Sequence, residues 1–386
     1  MPSRPLVSPT CSSFGILSSF PPTACGIATF SAALATGLIA NGAAVEVTRC
    51  GYRPVVEHDL VRSSLDDSSD DRIRVAAEVL NRNDVAIVQH EYGLYEGTDG
   101  DALLRIMAAV EVPMIVVAHT VLRSPTPNQR DVLERVCDAA DVIVVMTETA
   151  YVRLLDGFDV DASKVLVIPH GAATPLDDDV AGERPADRQQ QLLTWGLIGP
   201  GKGIEWALDA VASLDDLRPR PSYLIAGATH PKVRAHSGES YREMLIERAA
   251  SSGAAPMVRF DDTYRDVDAL TELIHGSDLV VLPYDSEDQV TSGVLVDAVA
   301  AGRPVVSTAF PHAIELLGSG AGLVVPQRDP SALADAIRAV LTDADLGASM
   351  AAEARRLAPD LSWTAVARQY GDLAGELVGS PELVRT

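Results

Sequence analysis

The sequence predicts an α/β protein made of two doubly wound parallel-sheet domains. Three observations carry that reading. Short apolar runs rich in Val, Ile and Leu, such as Val85–Gln89 (VAIVQ), Met114–Ala118 (MIVVA) and Leu279–Leu282 (LVVL), recur along the chain, as buried parallel strands require. Helical stretches alternate with these runs, the signature of strand–helix–strand units. The pattern stops once, from Pro175 to Gln191, where Asp, Glu, Arg, Pro and Gln replace apolar periodicity near the middle of the chain. With 386 residues, 47% of them hydrophobic, the chain is long enough for two domains that each bury a core.

In chain order, Phe14–Ser18 (FGILS) is the first expected strand. The loop Phe20–Gly26 (FPPTACG) follows, then a helix over Ile27–Asn41 with apolar residues at helical spacing. Ala44–Thr48 reads as the second strand, the polar and acidic span Val56–Asp71 as a loop, and Asp71–Asn81 as a helix capped near Asp70. Val85–Gln89 and Met114–Ala118 each run into a histidine, His90 and His119. Open α/β sheets bind ligands at these C-terminal strand edges, so both histidines are candidate site residues. Asp141–Thr147 and Val165–Ile168 continue the first sheet. Beyond the linker, strands are expected at Leu192–Gly196, Tyr223–Ala226, Val258–Phe260, Leu279–Leu282, Val305–Ser307 and Gly322–Val325, and a last amphipathic helix at Trp363–Leu377. The domains are therefore residues 1–175 and 190–360, with 361–386 as a C-terminal segment.

Composition narrows the function. A formal net charge of −23, from 54 acidic and 31 basic side chains, disfavours nucleic acid and anionic membrane as partners. The four cysteines show no CxxC spacing, so neither a disulfide framework nor a zinc site is expected, which suits a cytoplasmic location. No basic segment followed by a long apolar core opens the chain, so no signal peptide is expected. No run of 18 apolar residues predicts a transmembrane segment, which leaves peripheral contact with lipid acceptors open.

The most informative stretch is Asp285–Thr308 (DSEDQVTSGVLVDAVAAGRPVVST). A short helix is expected over Gly293–Ala301, stopped by Gly302 and barred from returning by Pro304. The N–H groups of Ser292, Gly293 and Val294 are then donors at a helix N-terminus, where a partial charge of about half a unit attracts anions. Gly293 allows close approach, and Asp297, one turn into the helix, offers a carboxylate to sugar hydroxyls. Phosphate donors beside a hydroxyl-binding acid are what a nucleotide-sugar needs.

A second motif, Trp195–Gly203 (WGLIGPGKG), places Gly196, Gly199, Gly201 and Gly203 in a tight turn around Lys202, a point charge for a diphosphate. Gly196–Lys202 also spells the phosphate loop of ATPases. That motif needs Ser or Thr next to hold Mg²⁺, and Gly203 stands there instead. The bland alternative is a surface glycine turn with a solvated lysine. The third motif, Pro21–Phe30 (PPTACGIATF), brings Gly26 to a helix start. Cys25 beside it reads as packing rather than as a nucleophile. Around His90–Gly93 (HEYG) and His119 no third ligand or HExxH is present, so no metal site is expected.

These motifs resemble glycosyltransferase family 4, retaining enzymes of the GT-B fold, from Phe20 to about Tyr370. That family carries two glutamates eight positions apart, the second followed by Ala-Met-Ala-x-Gly-x-Pro-Val. Asp297 takes the second position and Ala298–Val305 (AVAAGRPV) follows the pattern, while Gln289 takes the first, with Glu287 and Asp288 beside it. Gly196, Lys202 and Gly203 match the family's Gly-Arg-x4-Lys-Gly loop, with Leu197 where arginine is usual. The resemblance implies a divergent subgroup with two Rossmann-like domains facing across a cleft, the last helix crossing back onto the first. It implies metal-independent transfer of a hexose, mannose or glucose, from GDP-mannose or UDP-glucose to a carbohydrate or other hydroxyl acceptor. His119 and Lys202 would be catalytic, with Gly26, Gly196, Lys202, Gln289, Ser292, Gly293, Val294 and Asp297 on the donor. His90, Glu91 and Tyr92 would line the acceptor pocket. A sugar-nucleotide 2-epimerase on the same fold and a non-catalytic nucleotide-sugar-binding protein are the alternatives. No cofactor is implied beyond the donor itself.

Overall fold

The computed structural model describes residues 11–23, 25–51, 58–172, 188–263 and 265–379. It divides the chain into two compact units, one of Met1–Gly171 with Trp363–Thr386, the other of Ala172–Ser362. The expected linker falls outside the described residues up to position 187.

The first unit alternates strand and helix: β1 (Ser13–Ser18), α1 (Gly26–Ala40), β2 (Ala44–Cys50), β3 (Val61–Leu65), α2 (Asp70–Leu80), β4 (Val85–His90), α3 (Leu103–Met107), β5 (Met114–Ala118), α4 (Pro127–Ala139), β6 (Val142–Val145), α5 (Glu148–Gly157) and β7 (Val165–Val167). Its seven strands are parallel in the order β3-β2-β1-β4-β5-β6-β7, so the topology switches direction between β1 and β4. β3 corrects the sequence reading, which placed a loop there. The strand VRSSL is polar because it is an edge strand with β2 as its single neighbour. Its Ser63 hydroxyl bonds that of Thr48 at 2.8 Å instead of filling a core.

The second unit runs β8 (Gln191–Trp195), α6 (Ile204–Ala212), β9 (Ser222–Ala226), α7 (Pro231–Ser237), α8 (Ser240–Ser252), β10 (Val258–Asp261), α9 (Val267–Gly276), β11 (Leu279–Leu282), α10 (Gly293–Ala300), β12 (Val305–Thr308), α11 (Pro311–Leu317), β13 (Gly322–Val325), α12 (Pro330–Thr342) and α13 (Ala344–Leu361). Six parallel strands in the order β10-β9-β8-β11-β12-β13 put its switch point between β8 and β11. Alternating strand residues feed two cores. Leu193, Val280 and Leu282 pack on one face of the sheet, and Leu192, Leu279 and Val281 on the other.

The last helix, α14 (Trp363–Gly379), belongs to the first unit. Val366, Ala367, Tyr370 and Leu373 join Phe14, Phe30 and Leu34 in one buried cluster. The packing is tight: a Cβ at Gly37 of α1 would lie 2.6 Å from the Trp363 carbonyl oxygen, and one at Gly171 2.4 Å from the Trp363 ring.

Candidate functional site

In an open α/β sheet, loops at the carboxyl ends of the two strands flanking the switch point hold the ligand. In the second unit these are the loops after β8 and β11, and the sequence motifs occupy both. Glycine is required here by space. Gly203 has φ +60°, and a Cβ on it would lie 1.9 Å from the Pro283 carbonyl oxygen at the end of β11. A Ser or Thr with the Mg²⁺-holding hydroxyl of an ATPase phosphate loop does not fit there. Gly196 (φ +119°) lies under the start of α10, where an added Cβ would meet Val294 at 3.5 Å. The Asp285 N–H donates to the Gly201 carbonyl at 3.2 Å, tying the two loops together.

Lys202 projects from this turn, with its Nζ 4.2 Å from the centroid of the Tyr284 ring. Such a cation–π contact is worth about 0.5–2 kcal/mol and leaves the charge unneutralised. Lys202 has no carboxylate partner among the described residues. The neighbouring Asp285 is instead bonded to Arg328 at 3.3 Å and the Trp206 indole at 3.5 Å. Tyr284 is fixed from beneath by stacking on Phe310, 5.0 Å away at 26°, and its carbonyl accepts from Thr308 Oγ1 and Gln327 Nε2.

At α10, Ser292 is the N-cap, its hydroxyl accepting from the Leu295 N–H at 3.3 Å. Its own N–H is not a free donor, contrary to the sequence reading. It donates to Nδ1 of His312, a buried residue of α11, at 2.8 Å. The anion-facing donors are therefore those of Gly293 and Val294, the first two helical residues, which have no acceptor inside the helix. His312 gave no sequence signal: its partner lies 20 residues away, and only the fold brings them together. Asp297 is partly buried one turn further on. Gln289 turns its amide Nε2 back onto the Thr291 carbonyl, which leaves its Oε1 as the group for a ligand. The Thr291 hydroxyl is buried and has no partner.

In the first unit, β4 and β5 lie side by side and carry His90 and His119 at their ends. The His119 N–H donates to the His90 carbonyl at 3.0 Å. His119 Nε2 lies 2.6 Å from Gln89 Oε1, so the ring proton sits on Nε2 and Nδ1 is a bare acceptor. Burial, then the charges of His170 and His90, lower the His119 pKa to about 3. Burial alone lowers that of His90 to about 4, and burial dominates for His170, also about 4. All three are neutral imidazoles at pH 7. Phe30 of α1 meets the His119 ring edge-on at 4.9 Å and that of His170 at 5.1 Å. Three buried polar atoms here lack partners: Gln89 Nε2, His90 Nδ1 and Tyr92 OH. Buried polar groups without partners are rare. Glu91 uses one carboxylate oxygen to accept from the Gly93 N–H at 2.8 Å. Gly26 opens α1, and a Cβ on it would meet nothing within 4 Å.

Residues 189–343 match the family described as glycosyl transferases group 1. The match lies within the second unit. The glycosyl transferases group 1 segment holds both glycine and α10 loops, so Lys202, Gln289 and Asp297 all fall inside it. A D-inositol 3-phosphate glycosyltransferase of Geodermatophilus obscurus is 32% identical over 65% of this chain and 58% of its own length. The corresponding protein of Corynebacterium jeikeium is 29% identical over 69% of this chain and 67% of its own. The chain thus spans well under two thirds of the Geodermatophilus protein. Among solved structures, HepE of Anabaena, in complex with UDP and glucose, superposes with a TM-score of 0.73 at 15% identity, covering 95% of this chain and 100% of that one. Sucrose-phosphate synthase of Thermosynechococcus elongatus gives 0.71 at 19% identity, covering 95% and 99%. The fold is that of the GT-B glycosyltransferases. Among the described residues no helix is long and apolar enough to cross a membrane, and no group of three or more His, Cys, Asp or Glu side chains is placed to hold a metal ion.

Proposed function

We propose that this protein moves a hexose from a nucleotide-diphosphate sugar to a hydroxyl acceptor, with retention of anomeric configuration and without a divalent metal. The observation that carries the reading is Lys202, fixed over Tyr284 with no carboxylate partner among the described residues, on the loop next to the start of α10. As the bond between the sugar and the diphosphate breaks, negative charge grows on the leaving phosphate. Lys202 and the N–H groups of Gly293 and Val294 are positive ends already in place for it. The acceptor hydroxyl attacks on the same face, its oxygen forms the new bond, and its proton passes to the departing phosphate oxygen. Asp297 holds the ribose, and Gln289 or Asp288 the donor sugar. The neutral His119 accepts from a sugar hydroxyl through Nδ1; with a pKa near 3 it is no proton donor at neutral pH. His90, Glu91 and Tyr92 take the acceptor.

HepE was solved with UDP and glucose, which makes UDP-glucose the first donor to try, with GDP-mannose beside it. The relatives named D-inositol 3-phosphate glycosyltransferase make D-inositol 3-phosphate the first acceptor. A cytoplasmic setting is in keeping with the free thiols Cys11, Cys25, Cys50 and Cys137. The test is release of nucleoside diphosphate in EDTA, with the anomeric configuration of the product read by NMR. Turnover that depends on acceptor, with the configuration kept, is expected. Turnover unchanged in both Lys202→Ala and Asp297→Ala would overturn the assignment.

A further inference from the structure

The chain is sparing with lysine. Among its 31 Lys and Arg residues only three are lysines: Lys164, Lys202 and Lys232. Among the described residues, ion pairs such as Arg248–Asp209 and Arg338–Asp216 are made by arginine. Lys164 is fixed on the Asp138 and Ala140 carbonyls at 2.8 and 2.9 Å. The other two lysines flank one histidine, His230.

The backbone sets this up. The β8–β9 pairing continues past the strand ends: the Ile198 N–H donates to the Ala228 carbonyl at 2.9 Å, and the His230 N–H to the Ile198 carbonyl at 2.8 Å. The glycine turn that carries Lys202 packs against this extension. A Cβ at Gly199 would lie 3.7 Å from His230 Cβ and 3.1 Å from Val233 Cγ2. His230 Nδ1 accepts from the Lys232 N–H at 3.2 Å, so the ring proton is on Nε2, a neutral donor. Burial, then the charges of Lys232 and Lys202, lower the His230 pKa. Lys232 is exposed and has no ion pair among the described residues. Glu239, which accepts from the Thr229 hydroxyl, is also taken by Arg234 and Arg242 at 3.3 and 3.6 Å. Two cations beside one histidine, neither with a carboxylate partner among the described residues, are an arrangement that an anion relieves.

We propose that Lys232 and His230 complete the phosphate site begun by Lys202, Lys232 supplying the second positive charge that Leu197 does not, and His230 Nε2–H a neutral hydrogen bond to the donor diphosphate. This rests on the donor-site reading above. The two are separated by titrating UDP and GDP into wild type, Lys202→Ala, Lys232→Gln, His230→Asn and the double variant Lys232→Gln/Leu197→Arg. Asn keeps an N-cap acceptor at position 230, so α7 is retained, and thermal midpoints check folding. Lys232→Gln is expected to weaken diphosphate binding roughly tenfold or more, with the midpoint unchanged. His230→Asn should weaken it less, and Leu197→Arg should restore part of what Lys232→Gln loses. A merely structural role would not be rescued from Leu197. Binding lost in Lys202→Ala but equal to wild type in Lys232→Gln and His230→Asn overturns this inference alone. A wild type that binds neither diphosphate removes the donor site and this inference with it.

Discussion

The Lys202 ammonium sits 4.2 Å from the centroid of the Tyr284 ring, and Tyr284 is itself stacked on Phe310. An aromatic face orients a cation without cancelling its charge, which a carboxylate would do. The pair predicts a specific asymmetry at position 284. Tyr284 OH is buried with no partner, so Tyr284→Phe keeps the ring face and removes an unsatisfied polar group. Its nucleoside diphosphate affinity should match wild type and its unfolding free energy should not fall. Tyr284→Leu removes the platform and should weaken binding several-fold. Equal affinity in the two variants would show that the ring face is unimportant.

Gly203 separates this loop from an ATPase phosphate loop by geometry. Gly203→Ser must place a side chain 1.9 Å from the Pro283 carbonyl oxygen at a left-handed φ. A loss of about 2–4 kcal/mol in unfolding free energy is expected from urea denaturation. A stable variant that gains Mg²⁺-dependent ATP binding would contradict the account.

His312 anchors the start of α10 through Ser292. In His312→Ala the Ser292 N–H is buried without an acceptor, at a cost of about 1–3 kcal/mol. Stability and diphosphate affinity should fall together, because the start of α10 loses its anchor. His312→Ala with wild-type values for both would remove that role.

The three histidines of the first unit predict a pH dependence. His119, His90 and His170 have folded pKa values of about 3, 4 and 4, below the value of 6.5 expected in the unfolded chain. Between these limits the unfolded chain binds more protons, so stability rises with pH. Their contribution is complete above about pH 6.5 and is lost as pH falls towards 4 and 3. Urea unfolding between pH 4 and 7 should show proton uptake that shrinks in His119→Gln. An identical pH profile for wild type and His119→Gln would contradict the assignment.

Much of this was legible in the sequence, and the exceptions have physical causes. Apolar runs such as Met114–Ala118 and Leu279–Leu282 became strands with those same limits, because buried parallel strands need continuous apolar residues. The short helix at Gly293 and its stop at Gly302 were read from glycine and proline chemistry. β3 was missed because a polar edge strand has no apolar signature. The Ser292 N–H was misjudged, and His312 overlooked, for one shared reason. A helix N-terminus looks unpartnered in sequence, whereas its real acceptor comes from α11 in three dimensions. The link of His230 to Lys202 is not legible in the sequence, since it depends on pairing of the loops after β8 and β9.

The most direct test of the central claim is calorimetric titration of UDP and GDP into the protein in EDTA, with Lys202→Ala in parallel. The account predicts metal-independent binding of one of the two, weakened by about 1.5–3 kcal/mol when the lysine is removed. Binding of neither diphosphate, or binding that Lys202→Ala leaves unchanged, would contradict it.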